Sequence, residues 1–259
     1  FKMPIAIEVH YTDGTKDSIM EMLDEVFEVV KIPNKGKKEI AYVLFDPNSN
    51  VIKQLTFEKK FDELQEQVEK AQYLLDRYDA LVGLRKIELD KKREVLHEVL
   101  KRERHYSMLN EVISQLANDN NATTISLLKG MMQQTKSAVR MHLLQQLPAQ
   151  KSNLEIFEMG LKDPSYDVIK AALEKLALVN PEMLPNYFTQ IAGVSGMNHA
   201  IDFKRIELAL LHGLDKQNME KELIAYASPA FEFRTRNNAF AVIKATGTYS
   251  QTLLPHLFN

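Results

Sequence analysis

Apolar and polar residues alternate along residues 3–55, then apolar positions recur every three or four residues to the end of the chain. In the first part Met3, Ile5, Ile7 and Val9 share one face, and Tyr11-Thr12-Asp13-Gly14-Thr15 supplies an Asp-Gly hairpin turn. Ile19–Leu23 and Val26–Ile32 read as a second hairpin turning at Asp24-Glu25. Ala41–Phe45 and Val51–Leu55 read as a third pair around Asp46-Pro47-Asn48-Ser49-Asn50. About five strands leave faces and edges of such a sheet uncovered. The expectation is a small antiparallel β domain over residues 1–56 that makes a poor core by itself.

The period changes at Thr56. Phe57, Phe61, Leu64, Val68, Ala71 and Leu75 form one stripe of an amphipathic helix, with Thr56 as its N-cap. Further helix starts read at Asp76, at Asp90, at Ser152 with Glu155 completing a capping box, and at Asp163-Pro164-Ser165 with Pro in the first turn. Asn118–Asn121 and Gly193–Gly196 read as loops. One helix pattern anchors at Leu143, Ala172, Leu208 and Ala239, spaced by 29, 36 and 31 residues, and Ala80 fits the same template. Such spacing is that of two-helix solenoid units. The predicted fold is mainly α, a HEAT-like α-superhelix over residues 57–259 behind the β domain. An irregular helical bundle is the other arrangement that gives this spacing.

Composition narrows the function classes. Thirty-three Lys and Arg against 35 Asp and Glu leave a formal charge of −2, so no basic field invites nucleic acid or an anionic membrane surface. Cysteine is absent, which removes thiol catalysis, disulfides and cysteine-ligated zinc. No apolar run reaches the ~18 residues of a membrane span. The first residue is Phe, so the chain reads as an excerpt of a longer protein; that protein is expected to be soluble, with its compartment, cytoplasmic or periplasmic, left open by the sequence.

Candidate chemistry is sparse. The nearest approach to a His-Glu-x-x-His zinc site is His97-Glu98-Val99-Leu100-Lys101, where an ammonium stands in place of the second imidazole. His105 lies eight residues on, too far along a helix to replace it. His97 is expected on the polar face, with Val95, Leu96, Val99 and Leu100 as the buried stripe. His10, His142, His199, His212 and His256 begin no such motif, and there is no P-loop, G-x-G-x-x-G or G-x-S-x-G. No residue is assigned as catalytic or metal-binding. Two arginines, Arg234 and Arg236, open a late helix and are the candidate functional residues. The alternative for Arg236 is a structural bond between neighbouring turns.

Residues 39–85 carry a resemblance. Asp46-Pro47, Val51-Ile52, Leu55, Arg77, Ala80, Leu81 and Leu84 are placed as at the junction of the third and fourth domains of M1-family zinc aminopeptidases. There a strand with an Asp-Pro turn precedes a long helix and an R-x-x-A-x-x-x-L helix. The resemblance implies that residues 1–56 are the incomplete part of an antiparallel β-sandwich spacer, followed by a helical domain that covers the active site and limits substrate access. The parent protein would remove N-terminal residues from peptides. Its zinc, His-Glu-x-x-His and G-x-M-E-N motifs would lie in a catalytic domain outside these residues, and that domain and peptides would be the partners. Gly196-Met197-Asn198 is not the G-x-M-E-N strand, because it lacks the Glu and falls in a loop between helices. On the resemblance, Arg234 and Arg236 would face the chamber and receive a peptide carboxylate. The alternative is a HEAT-repeat scaffold that binds another protein and has no peptidase activity.

Overall fold

Twelve helices follow three strands in the computed structural model, which describes residues 2–134 and 136–249. The strands are β1 (Met3–Tyr11), β2 (Lys16–Leu23) and β3 (Ile40–Phe45). Then come α1 (Phe61–Lys70), α2 (Leu74–Gly83), α3 (Leu89–Arg102) and α4 (Tyr106–Leu116). The later helices are α5 (Ala122–Gln134), α6 (Ser137–Gln146), α7 (Leu154–Gly160), α8 (Tyr166–Val179), α9 (Leu184–Gln190), α10 (Ala200–Leu211), α11 (Lys216–Tyr226) and α12 (Phe233–Thr246). The chain packs as two units, Phe1–Asp119 and Asn120–Asn259. That division follows packing, whereas the change of period near residue 56 follows secondary structure. No described helix is long and apolar enough to cross a membrane. His256 and Phe1 lie outside the described residues.

In the first unit the strands form an antiparallel sheet in the order β2-β1-β3. Asp13-Gly14 makes the expected hairpin. Gly14 takes φ +82, and the Asp13 carboxylate accepts the Thr15 N–H at 2.9 Å. Ile5, Ile7, Val9 and Tyr11 are all buried, as the alternation requires. The two further strands are corrections. Residues 26–32 and 51–55 are not strands, and Val26 and Ile52 are fully exposed. An alternating segment becomes a strand only beside a partner, and no described strand pairs with either segment. The described residues therefore hold one small sheet and not a sandwich.

Tyr42 and Leu44 of β3 pack with Ala71, just past α1. The stripe from Phe57 to Leu75 is two helices. It begins at Phe61, with the Glu63 carboxylate accepting the Lys60 N–H at 2.8 Å, and Thr56 is no cap. It breaks at Ala71, whose carbonyl and that of Gln72 accept from the Arg77 guanidinium at 3.3 and 3.2 Å. Arg77 thus satisfies helix-end carbonyls and lets the chain turn. Arg77, Arg85 and Arg93 pair with Glu103, Glu111 and Asp119, tying α2, the short turn after it and α3 to the chain 26 residues later in each case.

In the second unit α7 packs on α8, and α11 on both α10 and α12. Contacts also run between alternate helices, α6 with α8, α8 with α10 and α10 with α12. Phe203, Ile206, Leu223, Ala239, Val242 and Ile243 form a continuous apolar core. Leu143, Ala172, Leu208 and Ala239 are all buried here, as is Ala80 in the first unit. Helix α8 starts at Tyr166, one residue after Ser165, so Pro164 precedes the helix and Asp163 accepts the Ser165 N–H at 2.8 Å. Asn153, not Ser152, precedes α7.

Candidate functional site

The two candidate arginines sit at the start of α12. Glu232 caps this helix, its carboxylate accepting the N–H groups of Arg234 at 3.0 Å and Thr235 at 2.9 Å. Those bonds, the Arg234 N–H first, hold the Glu232 carboxyl below its ordinary range against the opposing effect of burial. Two residues on a helix are about 200° apart, so the arginines diverge. Arg236 shares a stripe with the buried Ala239 and Ile243 and donates from Nε to the Ala227 carbonyl at 3.3 Å, at the end of α11. Arg234 is exposed and lies on the stripe of Asn238, Ala241 and Ala245. The structure does not bring them together as one clamp.

That second stripe leads into a groove of about 360 Å³ between α8, α10 and α12, whose floor includes Phe203, Ala241 and Val242. Lys204 on its wall is neutralised by Glu174 at 2.9 Å and Glu207 at 2.5 Å. Burial alone would lower Lys204, but these two partners outweigh it and hold the ammonium above its ordinary range. Lys170 lines the same groove, is exposed, and makes no hydrogen bond or ion pair with any described residue. Sequence reasoning passed over Lys170, since Glu174 one turn on is its apparent partner. In the fold Glu174 turns to Lys204 instead.

The histidines are dispersed. His97 is a correction, for its side chain is 1% exposed and lies in the body of α3 beside Val95, Leu96, Val99 and Leu100. Lys101 and Glu98 do face water and pair with each other at 2.6 Å. His105 precedes α4, His10 stacks on Tyr42 with centroids 4.4 Å apart, and His199 bonds Asp202 at 3.0 Å. Among the described residues no three His, Asp or Glu side chains are placed to hold a metal ion. Gly196-Met197-Asn198 is a turn with positive φ at Gly196 and Asn198, not a strand.

A buried polar cluster in the first unit was also missed. Lys59 donates to the Val43 carbonyl at 2.5 Å and to Gln67, bridging β3 and α1. Burial pushes the Lys59 ammonium down to about 8. Asp76 on α2 accepts the Asn48 N–H at 2.9 Å, and burial raises both its carboxyl and that of Asp79. Asp46 closes its own turn, accepting from Val51 N–H at 2.9 Å and Lys53 Nζ at 2.6 Å. This cluster builds the junction after β3. No protein-family model matches the chain, and no curated protein matches its sequence.

Proposed function

We propose that these residues are the non-catalytic C-terminal portion of an M1-type zinc aminopeptidase, a β spacer and a HEAT-like helical domain that covers the active site and limits what reaches it. The observation that carries this reading is the set of residues shared with that family at the β-to-helix junction. Five of these residues have a defined place in the fold, whereas Ile52 and Leu55 are exposed. Asp46 closes the Asp-Pro turn with its carboxylate, Arg77 terminates α1, and Ala80, Leu81 and Leu84 are 1%, 0% and 0% exposed. The alternation of contacts from α6 to α8 to α10 to α12 supports a superhelix over a bundle. On this reading zinc and the general base would belong to the catalytic domain of the parent protein.

The test is the parent protein. Its sequence upstream of Phe1 is expected to contain His-Glu-x-x-His, and the purified protein to hold one zinc and hydrolyse Ala- or Leu-p-nitroanilide. An upstream sequence without that motif, or a zinc-free protein with no hydrolysis, overturns the reading and leaves the protein-binding scaffold. In an active parent, Arg234→Ala is expected to weaken peptide substrates and spare anilides, which offer no carboxylate. Arg236, bonded to the α11 backbone, is the structural member of the pair.

A further inference from the structure

β2 is an edge strand. One side of it pairs with β1, and its other side makes no backbone hydrogen bond with any described residue. The hairpin fixes which groups face outward. Tyr11 donates its N–H to the Thr15 carbonyl at 2.9 Å, so bonded and non-bonded pairs alternate from there along the register. The N–H and C=O groups of Lys16, Ser18, Met20 and Met22 consequently point away from β1. Beside Asp17–Ile19 a cleft of about 370 Å³ separates the strand from residues 32–38.

Side chains along this edge are unusual for a surface. Met20 is 68% exposed and Met22 49%, and just beyond the strand Val26, Phe27 and Val29 are 107%, 82% and 68% exposed. Isolated exposed apolar residues are ordinary, but five large ones within ten positions mark a surface awaiting cover. Interleaved with them are carboxylates. Lys16–Glu28 holds Asp17, Glu21, Asp24, Glu25 and Glu28 against the single Lys16, and that lysine is engaged by Glu8 at 2.7 Å. Glu21, Glu25 and Glu28 make no ion pair with any described residue.

We propose that the free edge of β2 is a strand-docking site for an extended segment in which apolar residues alternate with lysine or arginine. Cross-strand neighbours share a face, and Met20 and Met22 lie on one face of β2 while Glu21 lies on the other. A strand added at this edge therefore meets methionines on one face and a carboxylate on the other, which selects an apolar and basic alternation. Main-chain bonds to the outward groups of Ser18, Met20 and Met22 supply affinity in the manner of β-augmentation. A second copy of the same edge is the wrong partner, because carboxylates would face carboxylates.

Amide exchange measured by NMR tests it, with a synthetic (Val-Lys)5 peptide as probe and (Val-Glu)5 as control. Saturating Val-Lys peptide is expected to slow exchange at Ser18, Met20 and Met22 about ten-fold or more, and added salt to reverse the effect. Met20→Glu with Met22→Glu abolishes the protection, whereas Met20→Ile with Met22→Ile retains it. Both pairs are surface changes, and an unchanged circular dichroism spectrum establishes that each variant is folded. Unchanged exchange with the Val-Lys peptide, or equal protection by the Val-Glu peptide, overturns the proposal. So does protection that rises with protein concentration alone, which would make a second copy the occupant.

Discussion

Gly160→Ala probes a close helix contact of the second unit with a single methyl group. A Cβ at Gly160 would lie 2.8 Å from the Ala172 Cβ and 2.9 Å from Leu144 Cδ1. The leucine methyl is the end of a flexible side chain and can rotate away. Ala172 cannot, for it is 0% exposed and its Cβ moves only with the α8 backbone. Against this clash stands the better helix propensity of alanine, worth at most ~1 kcal/mol and less at the last residue of α7. Overpacking a close-packed contact costs ~1–3 kcal/mol. The clash therefore wins, and Gly160→Ala is expected to lose ~1–2 kcal/mol and to lower Tm by roughly 3–6 °C. Urea denaturation followed by circular dichroism measures the loss, and hydrogen exchange in α7 and α8 localises it. Ala172→Gly alone should also destabilise, by the ~1 kcal/mol of helix propensity. Combined with Gly160→Ala it should recover stability relative to additivity by about 1 kcal/mol, because it removes the atom the new methyl strikes. A neutral or stabilising Gly160→Ala, or a strictly additive double variant, would refute the close approach of α7 and α8.

Two further outcomes follow from buried polar groups. His97→Ala is expected to cost about 2 kcal/mol or more, since it empties a fully buried site in α3 and not a surface position; a change within about 0.5 kcal/mol in urea denaturation would place the side chain in solvent. Lys59 should make stability rise with pH. Its folded value near 8 lies below its ordinary 10.5, so between those values the unfolded chain binds the extra proton and alkali favours the fold. Below pH 8 both states are protonated and the contribution is flat. The stability difference between the natural protein and Lys59→Met, measured from pH 7 to 10.5, should shift toward the natural protein above pH 8; a constant difference removes Lys59 from the buried bridge.

Periodicity made the helices legible because a helix buries a stripe by local geometry alone. Ala80, Leu143, Ala172, Leu208 and Ala239 are accordingly all inside, and α3 buries the four aliphatic residues that its spacing selects. The same signal failed wherever burial depends on residues distant in sequence. Val26–Ile32 and Val51–Leu55 alternate like strands, but alternation records a face to be covered and not the presence of the neighbour that covers it. The break between α1 and α2 depends on Arg77 reaching back to two carbonyls, a contact that no apolar count registers. His97 was assigned to the polar face because of its chemistry, yet α3 is covered over a wider arc than one stripe. Lys92 from the same helix is buried too, its Nζ bonding the Leu84 carbonyl at 2.9 Å.

At the candidate site the argument runs differently for each residue. That Arg234 and Arg236 diverge was available from their spacing, since two positions on a helix turn through about 200°. Which of them faces the core was also available, because Ala239 and Ile243 extend the stripe of Arg236. Lys170 was not available. Its freedom depends on Glu174 choosing Lys204, a residue 30 positions away on α10. A cation becomes a candidate for binding only when the fold has allotted the nearby carboxylates elsewhere, and that allotment is written in the packing of α8 against α10. The same logic governs the β2 edge, where Glu21, Glu25 and Glu28 matter because no described lysine or arginine pairs with them. Unpaired charge beside uncovered apolar surface is a property of the folded molecule, and it is there that this chain offers its binding chemistry.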